Sequence, residues 1–137
     1  MQGSRILVVD DDPDIVDYFG SFLRDQGFEV ASASSASRAL EVAETFSPNV
    51  VLIDVMMPGK SGLDLLVSLR RDSRWAGTPV VMITGNDQVL QDDCHSYLAS
   101  HGDVRCPEGM LAKPIDRAAL LALLAKLVSN GQTVAKN

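Results

Sequence analysis

Hydrophobic residues arrive along this chain in two alternating rhythms. "RILVV" (5–9), "NVVLID" (49–54) and "VVMITG" (80–85) are short continuous apolar runs, the form taken by strands buried on both faces of a parallel sheet. "FEVASA" (28–33) alternates over a similar length and "GMLAK" (109–113) is a last short run, so both read as further strands. Between them lies a helical period. In "DIVDYFGSFLRDQ" (14–26), Ile15, Tyr18, Phe19, Phe22 and Leu23 fall on one face, with Gly27 closing the helix. "SRALEVAETF" (37–46) ends at Ser47-Pro48, "GLDLLVSLRRD" (62–72) is a third helix, and "DRAALLALLAKLVS" (116–129) is a strong last one, with Asp116 placed as N-cap and Gly131 just beyond its end. The stretch 86–107 is less regular. Its Val89, Leu90, Cys94, Tyr97 and Leu98 fit one side of a helix, followed by a loop holding Gly102 and Pro107.

Five strands alternating with five helices predict an α/β fold, a (βα)5 doubly wound sheet of five parallel strands covered on both faces, since parallel strands need crossovers and these pack right-handed. At 137 residues the chain supports a single domain, expected over 4–129, with 130–137 as a flexible C-terminal tail. In a strand order 2-1-3-4-5, ligands gather outside the carboxyl ends of the strands. The residues standing there are Asp10, Asp11, Asp54, Thr84 and Lys113.

Charge and composition narrow the partners. With 18 acidic and 12 basic residues, a net charge of −6, the chain lacks the electrostatic footprint of a nucleic-acid binder, so direct nucleic-acid contact is not expected. No apolar run approaches the roughly 20 residues of a membrane-spanning helix. The start "MQGSRILVVDDD" has no pattern of basic leader and apolar stretch, which leaves the cytoplasm as the expected location. Cys94 and Cys106 are too few for a disulfide framework and read as free thiols. With His95 and His101 they suggest a zinc set, but the spacing C-H-x5-H-x4-C matches no standard finger, and adjacent Cys94 and His95 point to different helix faces.

"VVLIDVMMPGKSG" (50–62) poses a choice, because Gly59-Lys60-Ser61 looks like the end of a phosphate loop. Such a loop needs glycine where this chain has Asp54, whose carboxylate repels phosphate, and Pro58 removes an amide donor. A local explanation serves better: Gly59 relieves a turn and Ser61 can cap the third helix. The aspartate is then the reactive candidate. Asp10, Asp11 and Asp54 at the ends of neighbouring strands form an oxygen-only donor set suited to a hard cation such as Mg²⁺. A hydroxyl, Thr84, and an ammonium, Lys113, arrive from the next two strands, completing a constellation that can bind a phosphoryl group while an aspartate acts as nucleophile.

From "RILVVDDDPDI" through "VVLIDVMMPGKSGLDLL" and "PVVMITG" to "MLAKPID", the chain resembles the receiver domain of bacterial two-component response regulators, a flavodoxin-like fold. The resemblance implies that Asp54 accepts a phosphoryl group from a phosphohistidine on a sensor histidine kinase or histidine phosphotransfer protein. It implies Mg²⁺ (or Mn²⁺) as cofactor, held by Asp11, Asp54 and the backbone carbonyl of Met56, with Asp10 acting through water. Thr84 would hydrogen-bond the phosphoryl oxygen and Lys113 would pair with it. Partner binding would change on phosphorylation, towards a downstream protein effector or output domain or a homodimer. The domain would turn over no external substrate, catalysing only its own phosphorylation and dephosphorylation, with Met56 and Asn86 tuning the lifetime.

Two positions depart from the family. Met110 stands where an aromatic residue is usual, three before the lysine, and the stretch from 86 to 107 is longer than usual and falls on the implied partner face. Asp12 reads as a helix cap rather than a ligand. The alternative is a constitutive protein-interaction module that keeps the fold and little of the chemistry. A metal-dependent phosphohydrolase would need a general acid near the nucleophile, and Val55-Met56 offers none.

Overall fold

A computed structural model describes residues 4–54, 62–84, 107–112 and 115–136. The expected helix within 86–107, the Cys-His set, the Ser61 cap, Met56 and Lys113 lie outside those residues. The described elements are β1 (Arg5–Val9), α1 (Pro13–Asp25), β2 (Glu29–Ala33), α2 (Ala36–Phe46), β3 (Val50–Asp54), α3 (Gly62–Arg71), β4 (Val80–Thr84), β5 (Gly109–Ala112) and α4 (Arg117–Lys136). All strand pairings are parallel, in the predicted order β2-β1-β3-β4-β5.

The continuous apolar runs become the centre of the sheet because each strand face has its own helix layer to bury against. On β1, Leu7 and Val9 join Val51, Ile53, Val80 and Met82 against α2 and α3; Ile6 and Val8 join Val50, Leu52, Val81 and Ile83 against α1 and α4. Every residue of β3 is buried, whereas the edge strand β2 keeps exposed positions. On α1, Phe19 and Leu23 are the core contacts, and Tyr18 is left 45% exposed.

Local chemistry sets the ends. Asp12 is the N-cap of α1, its carboxylate accepting the amide of Asp14 at 2.9 Å, with Pro13 in the first helical turn, where no intrahelical donor is lost. At the other end Gly27 has φ 94°, and the amides of Gly27 and Phe28 bond the carbonyls of Arg24 and Leu23 at 3.0 and 3.1 Å, a Schellman closure with Phe28 and Leu23 both buried. Ser35 and Asp116 cap α2 and α4 through amides of Arg38 (3.2 Å) and Ala118 (2.9 Å). The chain differs from the expected tail after 129: α4 runs on through Gly131 to Lys136. One glycine costs a helix about 1 kcal/mol relative to alanine but breaks no hydrogen bond, unlike proline.

Two long-range clips hold the strands in place. Arg5 donates through its backbone amide to Asn49 Oδ1 (2.7 Å) and through Nε to the carbonyl of Ser47 (2.8 Å), bringing the start of β3 beside β1. Arg70, in the last turn of α3, donates to Glu108 Oε1 at 2.7 Å and to the carbonyl of Thr78 at 2.9 Å. Its side chain is only 4% exposed. A third, exposed group joins Arg74 to Asp72 and Glu44, with the guanidinium also over the Trp75 ring at 5.6 Å. Hydrogen bonds from Arg74 hold the Asp72 carboxyl below its ordinary value.

Candidate functional site at the strand ends

Register explains why the acids meet. Val9 of β1 lies opposite Ile53 of β3, so the next residues, Asp10 and Asp54, leave adjacent strands at the same level, where neighbouring backbones are only about 4.8 Å apart. Asp11 follows at once. Carboxylate oxygens of Asp10, Asp11 and Asp54 lie within 4.8 Å of one another. Asp10 and Asp54 are buried, at 4% and 6% exposure, while Asp11 is exposed. One oxygen of Asp10 is oriented by the backbone amide of Asp12 at 2.9 Å, and the amide of Asp10 itself bonds the carbonyl of Ala33 at 3.1 Å. The backbone that caps α1 therefore also aims a carboxylate into the cluster.

Three carboxylates held this closely repel one another, and the buried Asp10–Asp54 pair loses the screening of bulk water. A cation relieves that repulsion. The donor set is oxygen-only, which fits a hard divalent ion and disfavours zinc or copper. Asp12 is not part of the set, since its carboxylate serves the helix.

Thr84 is the last residue of β4, one beyond the position paired with Asp54, and lies opposite Ala112 of β5. The backbone thus brings Thr84 to the same end of the sheet as the three aspartates. Its side chain is outside the described set, as are Met56 and Lys113; Lys113 is the residue that follows Ala112 in the chain. Met110, at the position where an aromatic residue is usual in the resembled family, lies opposite Met82, half-buried against the α2/α3 core. An open cleft of about 270 Å³ flanks the cluster on its β2 side, running from Asp10 and Asp11 past Ser32 and Ser34 to Arg38. Arg38 is paired with Glu41 at 2.8 Å. The clip at Glu108 was not foreseen from the sequence; an acid beside proline at a strand entry carries no local signal of a partner 38 residues away.

Comparison with known proteins agrees with this geometry. The family model described as the response regulator receiver domain matches residues 6–125. The DNA-binding response regulator MtrA of Mycolicibacterium smegmatis is 44% identical over 86 residues, covering 63% of this chain and 36% of that protein. The DNA-binding dual master transcriptional regulator RpaA of Synechocystis is 32% identical over 124 residues, 90% of this chain and 48% of the other. The match covers less than half the length of either regulator. Among solved structures, the chemotaxis protein CheY4 of Vibrio cholerae superposes with a TM-score of 0.78 at 27% identity, covering 91% of this chain and 98% of that one. No helix among the described residues is long and apolar enough to cross a membrane.

Proposed function

The chain belongs to the response regulator receiver domain family, and from that premise we propose that Asp54 is its phosphoacceptor. The observation that carries this reading is the meeting of Asp54 with Asp10 and Asp11 at the end of the central strand. A carboxylate oxygen of Asp54 attacks the phosphorus of a phosphohistidine on a sensor histidine kinase or histidine phosphotransfer protein. The P–N bond breaks, the imidazole leaves, and an acyl phosphate forms on Asp54.

Asp10, Asp11, Asp54 and the Met56 carbonyl would hold Mg²⁺ (or Mn²⁺), Asp10 through water. When bound, the ion neutralises charge on the phosphoryl oxygens. The hydroxyl of Thr84 donates to one phosphoryl oxygen, and the ammonium of Lys113 pairs with the carboxylate before transfer and with the phosphoryl group after it. Met56 and Asn86 tune how long the acyl phosphate lasts by lining the approach of water to it.

The reading makes the domain a cytoplasmic switch rather than an enzyme with an external substrate: added charge at Asp54 shifts the population of a two-state surface that binds a downstream effector, an output domain or a second copy of the chain. The net charge of −6 leaves any DNA contact to another domain. Intact-protein mass after incubation with acetyl phosphate tests the core of it. A Mg²⁺-dependent phosphoryl adduct is expected on wild type and absent from Asp54→Ala; an adduct that persists in the variant would place the acceptor elsewhere.

A further inference from the structure

We propose that Glu108 is a positioning residue for phosphoryl transfer: by clipping β5 to β4 at its entry, it sets the register that puts Ala112, the residue before Lys113, opposite Thr84. This role rests on the assignment of Lys113 and Asp54 above, and extends it to a residue at the opposite end of the sheet.

Strand β5 has four residues and sits at the edge of the sheet, so its own ladder gives little to hold its register. Glu108, the residue before it, takes both backbone hydrogen-bonding groups of Val80. Its amide donates to the Val80 carbonyl at 2.9 Å, and its Oε1 accepts the Val80 amide at 2.8 Å. The same Oε1 accepts from Arg70 Nη2 at 2.7 Å, which anchors the clip to the last turn of α3. A slip of β5 along β4 would break all three contacts together. Gly109 packs so closely against α4 that a Cβ there would displace the end of the Leu123 side chain, so a residue with a side chain slid into this place would need Leu123 to move.

The consequence lies at the far end of the strand. With Val81 opposite Gly109, Thr84 falls opposite Ala112, and Lys113 comes next. A one-residue slip would move the exit of β5 by about 3.3 Å and turn the lysine to the other face. Asp10, Asp11 and Asp54 stand at the ends of β1 and β3, whereas the clip joins β4 to α3 at the entry of β5, so the slip leaves the cation's carboxylates in place and should not weaken cation binding.

The test compares Glu108→Ala and the milder Glu108→Gln with wild type for the rate of phosphorylation by acetyl phosphate and, separately, for Mg²⁺ affinity. The expected result is a rate lowered roughly tenfold to a hundredfold in Glu108→Ala and less in Glu108→Gln, as misplacement by an ångström or more can cost, with Mg²⁺ affinity undiminished, since a displaced Lys113 ammonium competes less for Asp54. Gly27→Ala, which loosens a helix end away from the site, controls for lost stability and should keep the wild-type rate. In a Lys113→Ala background the Glu108 substitution should slow the reaction no further, because the group it positions is gone. A rate that stays at the wild-type level, a parallel loss of Mg²⁺ affinity, or the same slowing with and without Lys113 would overturn the role while leaving Asp54 as acceptor. A wild type that takes up no phosphoryl group would overturn the reading of the site, and this role with it. Should Glu108→Ala fail to fold, Glu108→Gln carries the same comparisons.

Discussion

At Asp12 the carboxylate accepts the Asp14 amide and completes the first turn of α1; one residue earlier, the Asp11 carboxylate joins those of Asp10 and Asp54. Identical chemistry is separated by a single step of backbone. Asp12→Ala should therefore lower stability to urea by about 1 kcal/mol, the usual worth of such a cap, with Mg²⁺ affinity unchanged. Asp11→Asn should do the reverse, keeping stability and weakening Mg²⁺ binding roughly tenfold or more through the lost ligand charge. Urea melts and Mg²⁺ titrations on the pair read both effects, and a shared loss of Mg²⁺ affinity would put Asp12 among the ligands. The acids were legible as candidates because they end apolar runs. Asp12 was legible as the cap from its place before Pro13, and the structure puts its carboxylate on the Asp14 amide while those of Asp10, Asp11 and Asp54 gather.

The elements follow their local signals closely where those signals are local. Gly27 ends α1 because the closing turn needs φ 94°, a conformation that costs an L-residue about 1–2 kcal/mol. Gly27→Ala should lose about that much stability, measured as a shift in urea midpoint without a change in slope; an unchanged midpoint would show that the turn can close another way. The exposed Arg74–Asp72 contact at the α3–β4 link has a pH consequence of known sign. Because the Asp72 carboxyl is held low in the folded chain, the contact stabilises above the ordinary carboxyl range and fades as pH falls through the lowered value. Gly131 shows where a local signal misleads: it reads as a stop, yet α4 continues to Lys136, since a glycine weakens a helix without interrupting its bonds.

For the whole molecule, the sheet brings three like charges to one end while its two faces bury separate cores. That arrangement couples stability to the site. Without divalent ions, Asp54→Asn removes one of the repelling charges together with the attraction of the Lys113 ammonium assigned to it, so its stability should stay close to that of wild type. Mg²⁺ at a hundred times its Kd should stabilise wild type by about 2.7 kcal/mol and the variant much less. Thermal unfolding with and without Mg²⁺ checks both, and a wild-type midpoint indifferent to Mg²⁺ would count against a cation site at these aspartates.

By itself the sequence determined the order of the described elements, the parallel sheet and the three aspartates that meet at its carboxyl end. Hydrophobic period, caps and strand ends are properties of neighbouring residues, and they state their meaning locally. Only the tertiary structure decided that Asp10 and Asp54 are buried while Asp11 is exposed, that Arg5 ties Ser47 and Asn49 to β1, and that Glu108 finds Arg70 and Val80 at the entry of β5. Those outcomes depend on side chains meeting across elements far apart in the chain. No period or spacing encodes such a meeting; it exists once the sheet has placed the strands side by side.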